Sequence, residues 1–211
     1  MHHAVESNKP QILDILLQNG ANPNEQDAEG NSPFHIAIAH KLDLDIYNQL
    51  AEYDSMDFEQ TNNRGEKAFH EYLRILDGYS SENPELLLKL IEDGANLNST
   101  SPFYNKEVSA WDWIAQKNAV LFEKVFNTIQ PEINEQDDLG NTLLHKVVSQ
   151  HSNNDQNTAK ETYRKVKFLL DRGASATLLN NDERSAIMIA SEDNLKAKTV
   201  EILLIAQQKE K

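Results

Sequence analysis

A Gly-Ala pair closing an apolar stretch of helical spacing occurs three times in this chain, as ILLQNGANPN at 15–24, LIEDGANLN at 90–98 and LLDRGASAT at 169–177. A second element recurs upstream of it, seen as PFH at 33–35 and TLLH at 142–145. Anchored on its histidine, with two positions assigned by register, this element falls at His2, His35, His70, Asp112, His145 and Met188, at spacings of 33, 35, 42, 33 and 43 residues. A period near 33 constrains the fold more than any other feature. Each unit is a small supersecondary module that buries its apolar face only against its neighbours, so no long-range core is expected.

The register can be checked internally. From His2 to Gly20 is 18 residues, from His70 to Gly94 is 24 and from His145 to Gly173 is 28. The excess places insertions between paired helices, around 76–84 and around 149–162, the latter rich in Ser, Asn, Asp and Thr and read as a loop mobile over 152–160. Pro10 and Pro84 each stand ten residues before a Gly-Ala glycine, which suits the first turn of a helix, where the missing N–H is unpaired anyway. The glycines at 20, 94 and 173 suit a left-handed helix C-cap rather than a phosphate loop.

NSPFHIAIA (31–39) and GNTLLHKVV (140–148), and more distantly GEKAFHEYL (65–73), VSAWDWIAQ (108–116) and RSAIMIASE (184–192), resemble the units of ankyrin-repeat proteins. That family opens each unit with Thr-Pro-Leu-His-x-Ala and closes its second helix with Leu-Leu-x-x-Gly-Ala. The resemblance implies an all-α solenoid of stacked helix-turn-helix units with short β-hairpin fingers, forming one elongated, curved domain over 1–211. Its parts would be a partial repeat at 1–24 and repeats at about 25–58, 59–98, 99–134, 135–177 and 178–211.

Composition narrows the partners. The net charge of −14 disfavours nucleic acid and anionic membrane and favours a protein partner with a basic surface. Without cysteine there is no disulfide, thiolate catalysis or Cys-based zinc site. No apolar run reaches the ~18 residues of a membrane span, and no signal peptide opens the chain. Met1-His2-His3-Ala4 already sits in the Leu-His-x-Ala register, and VEILLIAQQKEK (200–211) still carries a second helix's apolar residues, so a segment of a longer polypeptide is expected. We expect a cytoplasmic monomer. The divergent, Asn/Lys-rich repeat text also resembles that of bacterial effectors, which would place it in a host cytoplasm. A substrate-recruiting arm of an enzyme whose catalytic domain lies elsewhere is the alternative.

No catalytic constellation stands out. The Walker, EF-hand, Gly-x-Ser-x-Gly and His-Glu-x-x-His patterns are absent, so neither enzyme activity nor a cofactor is expected within these residues. The anchor histidines lie one repeat apart, roughly 8–10 Å, too far to share a metal ion. By the resemblance, their rings hydrogen-bond the neighbouring hairpin backbone and the motif hydroxyl. His40 and His151 fall outside the motif and are expected to be exposed.

Recognition remains. In ankyrin proteins, partners meet hairpin tips and the outward faces of first helices. Counted onto this sequence, the partner-binding candidates are Arg64, Glu71, Arg74, Phe103, Tyr104, Trp113, Lys117, Asp138, Leu139 and Lys146. Trp111 occupies a core position, whereas Trp113 falls two residues later on a groove-facing one and is expected to be the exposed anchor, unless local distortion tucks it inside. Phe103 and Tyr104 replace the small or polar residues usual at a tip. They would either complete an apolar contact patch or pack on their own hairpin.

Overall fold

The computed structural model describes residues 1–40, 44–76 and 85–210. They cluster into two compact units, residues 1–76 with 85–110 and residues 111–210. The first holds α1 (His2–Glu6), α2 (Pro10–Gln18), α3 (Pro33–Ala39), α4 (Leu44–Tyr53), α5 (Ala68–Ile75) and α6 (Glu85–Glu92), then the antiparallel hairpin β1 (Thr100–Phe103) and β2 (Lys106–Ser109). The second follows with α7 (Ala110–Ala115), α8 (Ala119–Ile129), α9 (Leu143–Ser149), α10 (Gln156–Leu170), α11 (Ala186–Ala190), a 3₁₀ turn at Asn194–Lys196 and α12 (Ala197–Lys209).

Local chemistry starts these helices where the repeat text places them. Ser32 and Thr142 accept the backbone N–H of His35 and His145, and each histidine ring reaches back to the cap's own N–H, so two orphan donors are satisfied reciprocally. Pro10 and Pro33 stand in the first turns of α2 and α3. Gly20, Gly94 and Gly173 follow second helices with φ of +86°, +111° and +93°, as the C-cap reading requires. Pro84 and the insertion at 77–84 lie outside the described residues.

Packing is a relay of aromatic contacts. In the first unit Phe34, Phe58 and Phe69 meet edge to face at 5.8 and 6.2 Å. In the second, Phe122 and Phe126 each meet Phe168, at 6.2 and 5.2 Å. Hairpin fingers join through their backbones. Asn63 N–H donates to Glu29 C=O and Asn181 N–H to Leu139 C=O, both at 3.0 Å, while the two Asn side chains donate to the carbonyls of Ala28 and Asp138 at 2.9 Å.

The 152–160 segment is not the loop the sequence suggests. Asp155 caps α10 by accepting the N–H groups of Asn157 and Thr158, both at 3.0 Å, and the helix runs from Gln156 to Leu170. Thr158, Ala159 and Thr162 are buried. Ser152 donates its N–H and hydroxyl to Asp193, at 2.8 and 2.9 Å. Polar composition hid a helix whose few small residues suffice to pack.

α10 also carries Lys165 into the interior. Its side chain is fully buried, and its ammonium donates to the carbonyls of Ala115 and Lys117, at 2.5 and 2.8 Å, and to the Gln150 side-chain oxygen at 3.1 Å. It thereby satisfies carbonyls at the end of α7. Lys196 repeats the arrangement one unit on, donating to Val148 C=O at 2.7 Å near the end of α9.

Candidate partner-binding surface

The anchor histidines serve as joints. His35 Nδ1 accepts from the Ser32 N–H at 3.2 Å, which leaves Nε2–H to donate to the Glu66 carbonyl of the next hairpin at 3.1 Å. His145 repeats this with the Thr142 N–H and the Arg184 carbonyl, at 3.1 Å each. His2 Nε2 lies 2.8 Å from the Asn31 carbonyl. His70 has Lys67 where the others have a hydroxyl. Its Nε2 meets Ser99 Oγ at 3.1 Å and its buried Nδ1 has no partner. Burial lowers the pKa of His35 and His145 and brings that of His70 down to about 4, so these rings are neutral straps. His40 and His151 are exposed. Among the described residues no group of three or more His, Cys, Asp or Glu could hold a metal ion, and no helix is long and apolar enough to cross a membrane.

Seven side chains gather in the first unit, drawn from one tip, α5 and the hairpin. Arg64 Nε donates to Glu66 Oε2 at 2.7 Å, and Asn62 supports the same oxygen at 2.9 Å. Arg74 grips Glu71 through its guanidinium. Glu71, followed by Glu66 and Tyr104, holds the Arg74 pKa above its ordinary value. The β1–β2 hairpin turns at Tyr104 and Asn105, since Phe103 pairs with Lys106. Tyr104 sits at φ +53°, a conformation bulky residues seldom adopt, with its ring 89% exposed and set edge to face against Phe103 at 4.6 Å.

The candidates of the second unit divide. Asp138 is exposed at its tip and Leu139 is 64% exposed, an apolar side chain held out by a finger whose backbone is tied to Asn181. Lys146 is an internal brace, its ammonium lying between Asp112 at 2.9 Å and Asp137 at 2.6 Å. Trp113 departs from expectation, being only 9% exposed. The equivalent positions Ile36, Glu71 and Lys146 are half-covered, so an indole at that point of the repeat folds into the helix pack instead of standing in the groove. Lys117 is likewise buried, because its turn is where the Lys165 ammonium enters. The Lys146 bracket and the burial of Lys117, Lys165 and Lys196 escaped the sequence reading; only Lys146, flanked by the buried Leu143, Leu144, Val147 and Val148, stands out as a lysine on an apolar helix.

Comparison with known proteins accords with this architecture. The family described as ankyrin repeats (many copies) matches residues 1–46. Mouse Rabankyrin-5 is 30% identical over 112 residues, 45% of this chain and 10% of its own length. The ankyrin repeat domain of Bcl-3 superposes with a TM-score of 0.70 at 20% identity, over 97% of this chain and 80% of that one. The fold is that of ankyrin repeats. A chain from the complex of a predatory endopeptidase with its immunity protein, from Bdellovibrio bacteriovorus, shares the ankyrin fold with a TM-score of 0.66 at 21% identity, over 100% of this chain and 97% of that one. This ankyrin chain spans only 10% and 5% of the mouse and human Rabankyrin-5 it matches. Ankyrin repeats are generally protein–protein interaction modules.

Proposed function

We propose that this chain binds a protein partner through the Arg64, Glu71, Arg74, Phe103 and Tyr104 surface, with Tyr104 as the anchor. The observation that carries this reading is Tyr104 itself. An aromatic ring 89% exposed, on a backbone held at φ +53°, costs the free protein both solvation and backbone strain. A partner that covers the ring offsets those costs. The paired charges around it supply a polar rim, and the net charge of −14 supports a partner with a basic surface, steered by long-range attraction. In the second unit, Asp138 and Leu139 extend the same reading to another tip.

Tyr104→Gly separates binding from stability. Glycine accepts the left-handed backbone without strain, so the folded state is expected to hold or gain slightly, by about 0.5–1 kcal/mol. Partner capture is expected to weaken by about 2 kcal/mol or more. Pull-down with wild-type and Tyr104→Gly proteins of matched circular dichroism checks this, and equal recovery of the same partner would move the site off the hairpin. Glu71→Lys should act chiefly on the association rate and its salt dependence.

A further inference from the structure

The two edges of the β1–β2 hairpin differ. Along the ladder Ser101 faces Val108, Pro102 faces Glu107 and Phe103 faces Lys106. Opposed residues of an antiparallel pair alternate between those that exchange backbone hydrogen bonds and those that do not. Pro102 has no N–H to donate, so its pair with Glu107 is of the second kind, and the bonded pairs are Ser101–Val108 and Phe103–Lys106. The N–H and C=O of Glu107 therefore point away from β1. Among the described residues neither has a backbone partner outside the hairpin, and Glu107 is exposed together with Asn105 and Lys106. The β1 edge is closed. Proline blunts it, a Cβ on Gly65 would stand 3.5 Å from the Pro102 ring, and Lys67 N–H donates to Ser101 Oγ at 3.2 Å.

We propose that the β2 edge at Glu107 takes an extended segment of the protein partner as an added antiparallel strand. The inference rests on the Tyr104 reading above and says in what form that partner arrives. An N–H and a C=O of one residue, both unpaired on the outer side of a strand, are matched by a residue of an extended chain that returns both bonds. A helix does not match them, because its backbone groups are already used. One such pair gives modest affinity. The Tyr104 ring, 89% exposed in the turn two residues before β2, supplies the apolar contact that the backbone pair lacks. The exposed Glu107 carboxylate would lie beside a side chain of the incoming strand, where a basic residue is favoured, in keeping with the net charge of −14.

The test uses the full chain and a fluorescein-labelled peptide of alternating lysine and valine, followed by anisotropy. Saturable binding is expected, weakened about 10-fold in Glu107→Pro, which lacks the donor and leaves a peptide carbonyl unpaired. Proline is tolerated at an outward-facing edge position, as Pro102 is on the opposite strand. Glu107→Val keeps the N–H and should bind within about 3-fold of wild type. A peptide N-methylated at two consecutive central residues should lose affinity as Glu107→Pro does. Hydrogen exchange of the Glu107 amide gives a readout in the unaltered chain: fast when free, it should slow about 10-fold or more at saturating peptide. The proposal is overturned by no binding up to about 1 mM peptide, by equal losses in Glu107→Pro and Glu107→Val, or by a Glu107 amide that the peptide leaves unprotected. Tyr104→Gly separates the two readings. A loss there with none in Glu107→Pro keeps Tyr104 as the anchor and removes the added strand, and the reverse result keeps the strand and removes the anchor.

Discussion

Gly140→Ala is expected to lower the unfolding free energy of the second unit by about 3–4 kcal/mol, on two grounds. Gly140 sits at φ +73°, where a Cβ costs about 1 kcal/mol. That Cβ would also stand 2.7 Å from the backbone nitrogen of Asn181 and 2.6 Å from its side-chain oxygen. Backbone cannot rotate aside. The fingers must part, loosening the Asn181 bonds to Leu139 and Asp138, each worth about 1 kcal/mol. Gly94→Ala is the control, being left-handed at φ +111° with nothing within 4 Å of its Cβ, so only the strain of about 1 kcal/mol applies. Urea titrations of both variants read the difference, and equal losses would show that the hairpin joint yields freely.

Stability should climb with pH through two separate windows. Burial brings the Lys165 ammonium down to about 7 from an ordinary lysine value near ~10.4, with Glu161 opposing and Lys196 reinforcing the shift. Between those values the unfolded chain binds the extra proton, so unfolding free energy should rise by about 3 kcal/mol from pH 7 to roughly 9.5. His70 acts lower, its folded value of about 4 lying below the ordinary 6.5, so its contribution is complete above pH 6.5 and about 3 kcal/mol is lost as pH falls through 4. His35 and His145 add in the same direction. Lys165→Met should flatten the upper window alone and His70→Gln the lower one alone. A wild-type profile flat between pH 7 and 9.5 would mean that the Lys165 ammonium reaches water.

Periodicity made the fold readable because the same steric and capping needs recur in every unit. The histidine straps and the glycine C-caps were visible as letters in register, whereas the Ser32 and Thr142 caps emerged with the helix starts. Trp113 was misplaced because the repeat pattern says which face a position occupies but not how far the next helix covers it. Residues 152–160 were misread because polar composition was weighed above the Asp155 cap and the small residues behind it. Lys165 was invisible for a related reason, since its acceptors come from 48 and 50 residues away. Arg64, Glu71 and Arg74 were named from register and Phe103 and Tyr104 as aromatics at a tip, yet the strained backbone that sets Tyr104 apart appears only in three dimensions.

The joints between successive fingers differ in kind. At His35 and His145 a neutral imidazole donates Nε2–H across to a carbonyl while its Nδ1 accepts from the cap's own N–H, and that second bond is broken by protonation and barely touched by dissolved salt. The repeat with Asp112 in place of the histidine is tied instead by the Lys146 ammonium between two carboxylates. That link is partly exposed and Coulombic, so added salt weakens it. One array thus holds couplings tuned to two solution variables, and its segments can be loosened one kind at a time, as a chain whose links are made of different metals yields first to whichever solvent attacks its own.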